Sequence, residues 1–166
     1  MAWEAFKDST DTSFYVRGHV DTHKARADQF CPSSAIVQIS DPSEAQSAFR
    51  HGLPIIDIPS FPVTAGTPDV STGAAITNSI RLCVEDVWQG RAGGVTTNPI
   101  SKSLLKSAGF KHPGHTEYLA ELAGEFAGTD APRPIMMLVG GGLRVALATI
   151  HVPLMSVGTL LKSALI

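Results

Sequence analysis

The chain has 166 residues, 43% of them apolar and 17% charged, a composition that excludes a disordered or fibrous protein and makes one globular domain the expectation. Thirteen Lys and Arg against fifteen Asp and Glu leave a formal charge of -2, so no basic field exists to attract nucleic acid or an anionic membrane. No apolar run approaches the roughly 20 residues of a membrane span, the first residues lack the basic and apolar regions of a secretory signal, and the two cysteines, in no zinc spacing, read as reduced thiols; a cytoplasmic protein is expected.

Short, apolar, partly β-branched runs predict strands at 14–16, 36–39, 55–58, 95–97, 135–139 and 143–150. Helical segments separate several of them. Asp41-Pro42-Ser43-Glu44 has a side-chain acceptor at the N-cap, proline at the first helical position and glutamate three residues after the cap, and Gly52 closes that helix. Four prolines between 54 and 68, at 54, 59, 62 and 68, predict a strand end followed by an extended surface connection. From 71 to 89, Ile76, Ile80, Cys83, Val84 and Val87 recur at helical spacing and Gly90 supplies the stop, which predicts the longest helix. Residues 126–134 read as a second loop. Gly140-Gly141-Gly142 between two apolar runs predicts a tight antiparallel hairpin, hence a mixed sheet. Residues 156–166 have helical character, with Leu160, Leu161, Leu165 and Ile166 in need of a partner surface. The class is α/β.

Three places gather reactive side chains. Thr96-Thr97-Asn98-Pro99-Ile100-Ser101-Lys102 follows a strand and opens a helix, where free N–H groups, Ser101 and Lys102 suit an anion; equally, Ser101 is an ordinary N-cap and Lys102 a solvated cation. Lys111-His112-Pro113-Gly114-His115-Thr116-Glu117 sets an imidazole, a hydroxyl and a carboxylate at the mouth of another helix, suited to a phosphate or an alcohol. There, Thr116 also reads as an N-cap, and His115 and His112 as surface histidines. His151, at the emergence of the 143–150 run, is positioned to ligate a metal or move a proton, although a strand-end histidine satisfied by a carbonyl fits as well. No GxSxG, HExxH, P-loop or GxGxxG motif appears.

Four segments in order, Val95-Thr-Thr-Asn-Pro-Ile-Ser-Lys102, Ala108-Gly-Phe-Lys-His-Pro-Gly-His-Thr-Glu117 with Leu119-Ala-Glu-Leu122, Met136-Met-Leu138, and Leu143-Arg-Val-Ala-Leu-Ala-Thr-Ile-His-Val-Pro-Leu154, resemble the PdxA family of 4-hydroxythreonine-4-phosphate dehydrogenases. The resemblance is strong over 66–166 and weaker, but in register, over 1–59. It implies a three-layer α/β/α enzyme with a mixed sheet, related to isocitrate and isopropylmalate dehydrogenases and working as a homodimer. The implied reaction is oxidation of 4-phosphooxy-L-threonine with NAD or NADP and a divalent metal (Zn, Mg or Co), followed by decarboxylation, in pyridoxal 5'-phosphate (vitamin B6) biosynthesis. By the same resemblance His115 and Thr116 bind the phosphorylated substrate, His151 is a metal ligand, and Asn98 and Lys102 line the cleft. A family member is roughly twice this length, so residues 1–166 are expected to be the N-terminal part of such a dehydrogenase, without its first strand and Gly-Asp-Pro-type loop and without the half that carries the other two metal histidines. Little or no activity is then expected of the chain alone. Two other readings stand beside this one: a dehydrogenase of four-carbon sugar-acid phosphates (erythronate or threonate 4-phosphate) from the same superfamily, and a non-catalytic remnant or interaction domain.

Overall fold

The structure is a computed structural model and describes residues 2–9, 11–59 and 63–163. Helix α1 (Ala2–Phe6) precedes two strand–helix units and a third strand: β1 (Val16–Gly18), α2 (Val20–Phe30), β2 (Ile36–Ile39), α3 (Ala45–Phe49) and β3 (Leu53–Asp57). All three strands are parallel in the order β1-β3-β2, so the last strand formed lies between the first two. Ile55 at its centre is wholly buried, and Ile39, Ala45, Ala48 and Ile56 pack as one cluster under Tyr15 and Val37. Parallel strands covered by helices need such unbroken apolar runs.

Local chemistry explains most boundaries. Asp41 accepts from Ser43 N while Glu44 accepts from Asp41 N, a complete capping box, and Pro42 starts a tight turn that leads into α3. Helix α3 ends at Phe49 with Arg50 as its C-cap, before the Gly52 expected to close it; a Cβ on Gly52 would lie 2.5 Å from the Ala35 carbonyl oxygen, so the close approach of the chain there requires glycine. Trp3 ties α1 down, its indole N–H donating to the Phe49 carbonyl at 2.7 Å, and the Phe14 ring meets Phe49 edge-on at 4.9 Å.

The proline run begins inside the sheet. Pro54 is buried in β3, the central strand. Leu53 N donates toward β2, so position 54 faces the β1 side, where the ladder starts only at Val16↔Ile55; no donor is lost. Pro62 lies outside the described residues.

Helix α4 (Gly73–Trp88) is the longest described, entered through a turn capped by Asp69 and left at Gly90, whose φ is 72°. It packs on β1, where Ser79 Oγ donates to the Arg17 carbonyl, and on α6 (His115–Ala127), where Tyr118 donates to the Thr77 carbonyl. Helix α5 (Lys102–Ser107) lies between them in sequence and buries Leu105. A hairpin of β4 (Met137–Gly140) and β5 (Leu143–Ala146) follows, then α7 (Leu154–Leu160).

The α/β reading holds, with several adjustments. Parallel and antiparallel pairing both occur, but in two separate sheets. Strand β1 begins two residues later than the apolar run at 14–16, because Phe14 and Tyr15 serve packing and Arg17 and Gly18 supply the ladder. No strand forms at 95–97, and among the described residues no strand pairs with this run. Strand β5 stops at Ala146 rather than reaching 150, and α6 runs two residues into the loop expected from 126. Leu165 and Ile166 lie outside the described residues.

Candidate functional site

Two helix starts meet at Gly114. Ser101 caps α5, its Oγ accepting from Leu104 N at 3.4 Å, and this places Lys102 as the first helical residue. After α5 the chain turns through Gly109 (φ 89°) and reaches Gly114, extended at φ -177°, which is the N-cap of α6. Thr116 is therefore inside the first turn, not at the cap, because the helix opens at His115, two residues earlier than a Thr116 cap would set it. No side chain caps α6. A Cβ on Gly114 would sit 3.7 Å from Lys102 Nζ and 3.6 Å from Glu117 Oε2, so the ammonium and the carboxylate both flank this buried glycine. His115 and Thr116, half-buried, stand beside them. The uncapped start of this 13-residue helix and the Lys102 ammonium attract a phosphate or an alkoxide-like oxygen, while the Glu117 carboxylate beside them opposes a second negative charge.

A cleft of about 310 Å³ runs from α4 to α6 beside this point, lined by Thr77, Leu105, Phe110, Lys111, His112 and Tyr118 among others. His112 is not the surface residue the sequence suggested. Its ring packs 5.0 Å from both Phe110 and Tyr118, and Nδ1 lies 3.4 Å from Glu121 Oε2. Burial pushes the Tyr118 hydroxyl above its ordinary range, so it remains a donor.

His151 is placed elsewhere. Five residues beyond the end of β5, it is exposed in a bend with φ 51°, a left-handed backbone unusual for a residue with a side chain. The expected rigid strand end is thus absent. Among the described residues no hydrogen bond or ion pair joins His151 to the α6 start, and no group of three His, Cys, Asp or Glu side chains is close enough to hold a metal.

The strongest polar feature was not anticipated. Asp86, wholly buried on α4, accepts from Tyr15 Oη at 2.7 Å, from Arg17 Nε and Nη2 at 2.8 and 2.7 Å, and from Arg91 Nε at 3.0 Å. Burial alone would raise its carboxyl; the bonds from Arg17, Tyr15 and Arg91 outweigh this and hold it below the usual carboxylate range. Its carbonyl also takes Arg91 N and Ala92 N, which pins the start of the irregular segment leading to Asn98 and Lys102. The sequence held one signal of this: Asp86 lies three residues after Cys83, on the apolar stripe of α4.

Comparison with known proteins agrees with this framework. The family model described as "Pyridoxal phosphate biosynthetic protein PdxA" matches residues 9–166. A 4-hydroxythreonine-4-phosphate dehydrogenase of Bradyrhizobium diazoefficiens is 48% identical over 124 residues, covering 74% of this chain and 35% of that protein. One from Methylorubrum populi is 37% identical over an alignment of 168 positions, covering 99% of this chain and 48% of its own length. The crystal structure of a 4-hydroxythreonine-4-phosphate dehydrogenase from Burkholderia phymatum superposes with a TM-score of 0.81 at 26% identity, covering 99% of this chain and 49% of that one. The chain therefore spans half or less of the length of these relatives. With the match extending over most of its residues, the chain belongs to the PdxA family of pyridoxal phosphate biosynthetic proteins.

Proposed function

We propose that this chain forms part of an NAD(P)- and divalent-metal-dependent dehydrogenase that oxidises 4-phosphooxy-L-threonine in pyridoxal 5'-phosphate biosynthesis. The observation that carries this reading is the convergence of Lys102 with the uncapped start of α6 at Gly114, His115 and Thr116, inside a chain matched to the family over 9–166. The Lys102 ammonium and the first-turn N–H groups attract the anionic end of the substrate; the His115 imidazole and the Thr116 hydroxyl hydrogen-bond its oxygens and fix its orientation.

The metal is a different matter. His151 is the one residue assigned to it, and the described residues bring no second or third ligand near. A catalytic metal of this kind takes about three protein ligands, so the described residues do not make its site and no step is derived through it. A homodimer and a cytoplasmic location go with the same reading. No described helix is long and apolar enough to cross a membrane.

Calorimetric titration with 4-phosphooxy-L-threonine tests the proposal. Binding is expected, and Lys102→Ala or Thr116→Val should each weaken it by about tenfold, the value of one good hydrogen bond to a charged group. No binding, or affinity unchanged in both variants, overturns the assignment. Tighter binding of erythronate 4-phosphate would move the protein to the sugar-acid branch.

A further inference from the structure

The first turn of α6 has little hold of its own. No side chain caps it, and the bond that closes it, from Tyr118 N to the Gly114 carbonyl, is long at 3.4 Å. A helix start of this kind frays unless packing orders it. Here the order comes from three rings. Phe110, His112 and Tyr118 form a closed triangle, with 5.0 Å from the His112 ring to each of the others and 5.1 Å between Phe110 and Tyr118. Each corner is tied down separately: Phe110 N donates to the Leu105 carbonyl of α5 at 2.9 Å, Tyr118 Oη donates to the Thr77 carbonyl of α4 at 3.3 Å, and His112 Nδ1 lies 3.4 Å from Glu121 Oε2 on α6.

His112 is the corner that leads into the site. Only Pro113, whose ring fixes φ, and the extended Gly114 separate it from His115, so the place of the imidazole sets where α6 begins. It is also the corner whose charge changes with pH. Its side chain is 17% exposed and that of Glu121 60%, so the two form an ion pair when the ring is protonated, and a well-hydrated one. The residues that α4 and α5 contribute to the same cleft, Thr77 and Leu105 among them, are not titratable. Arg81 of α4 is turned to Glu125 and Phe126, Glu117 faces Gly114 and Lys102, and burial keeps the Tyr118 hydroxyl protonated. Lys111, next in the chain, is the other charge lining the cleft.

We propose that His112 is a positioning residue for the α6 site: held between Phe110 and Tyr118 and set against Glu121, its imidazole fixes the first turn of the helix, and with it the N–H groups, His115 and Thr116 that meet the substrate, most firmly when the ring carries a proton. This rests on the dehydrogenase reading for what the turn binds, and on the ring triangle alone for the order of the turn.

Two readouts on the same proteins test it, at about pH 5.5 and about pH 8, on either side of an ordinary imidazole. Amide exchange across 115–122, corrected for the intrinsic rate at each pH, follows the turn without any ligand. Affinity for 4-phosphooxy-L-threonine is taken as a ratio to the parent, in which the titration of the substrate's own phosphate cancels. In His112→Phe, which keeps a ring, and in Glu121→Gln, exchange is expected to be about two- to fivefold faster than in the parent at the lower pH and no faster at the higher, with affinity weakened in step. His112→Ala also opens the triangle and should lose about tenfold at both pH values. Exchange of β3 stays as in the parent in all three, which separates a hold on one turn from general stability. The same exchange in the parent, His112→Phe and Glu121→Gln at both pH values overturns the proposal, as does a loss of protection in β3 equal to that in α6. The expected opening with affinity unmoved in every variant overturns it too. If the turn responds as expected and the parent binds no 4-phosphooxy-L-threonine, the substrate reading falls and the hold of His112 on the turn stands.

Discussion

At Asp86, four side-chain hydrogen bonds converge on one buried carboxylate, and the balance between burial and these bonds sets its behaviour. Its folded pKa is depressed, so it contributes stability above its unfolded value, and that contribution disappears as pH falls through the folded value. Asp86→Asn is therefore expected to flatten the acid limb of stability against pH, measured by urea unfolding between neutral and acid pH. Asp86→Ala, which strands Arg17 without a counter-charge, should cost about 3–5 kcal/mol at neutral pH. Sequence reading singled out His115, Thr116 and Lys102 as candidates because turn residues and helix starts mark themselves locally, and the structure sets all three at or beside Gly114. It missed Asp86 because the place of that acid on the apolar stripe of α4 was the one local signal, and two of its three partners, Arg17 and Tyr15, are 69 and 71 residues away.

Between elements, the first residue of α4 lies tightly against the C-cap of α5. A Cβ on Gly73 would collide with that of Ala108, so Gly73→Ala should destabilise by about 1–3 kcal/mol. Gly93, which faces open space at ordinary φ, is the control, and Gly93→Ala should lie within about 0.5 kcal/mol of the parent; thermal unfolding of both variants checks the pair. Elements were legible where one residue type dictates the backbone: the Asp41 capping box, the Gly90 stop and the paired glycines of the hairpin all appear as read. Elements that depend on a remote neighbour were not. The 95–97 run has strand composition but pairs with no strand among the described residues, and Arg17 and Gly18 lack strand composition yet pair with β3.

On the scale of the whole molecule, stability is uneven. The parallel sheet is packed against helices, and the hairpin is exposed throughout. Amides of β3 are expected to exchange only on global unfolding and those of β4 and β5 by local opening, far faster, in the chain alone; equal rates would contradict this division. The α/β class was legible from alternating short runs and turn residues, whereas the separation into two sheets was not, because pairing partners are set by the length of chain that surrounds them. The same unevenness reaches the two tryptophans. Trp3, 8% exposed and hydrogen-bonded to Phe49, and Trp88, 53% exposed and stacked on Phe126, are fluorophores in opposite surroundings. Iodide should quench Trp88 and spare Trp3, so that in Trp88→Phe the remaining emission becomes an optical gauge of a single event, the lifting of α1 from the end of α3.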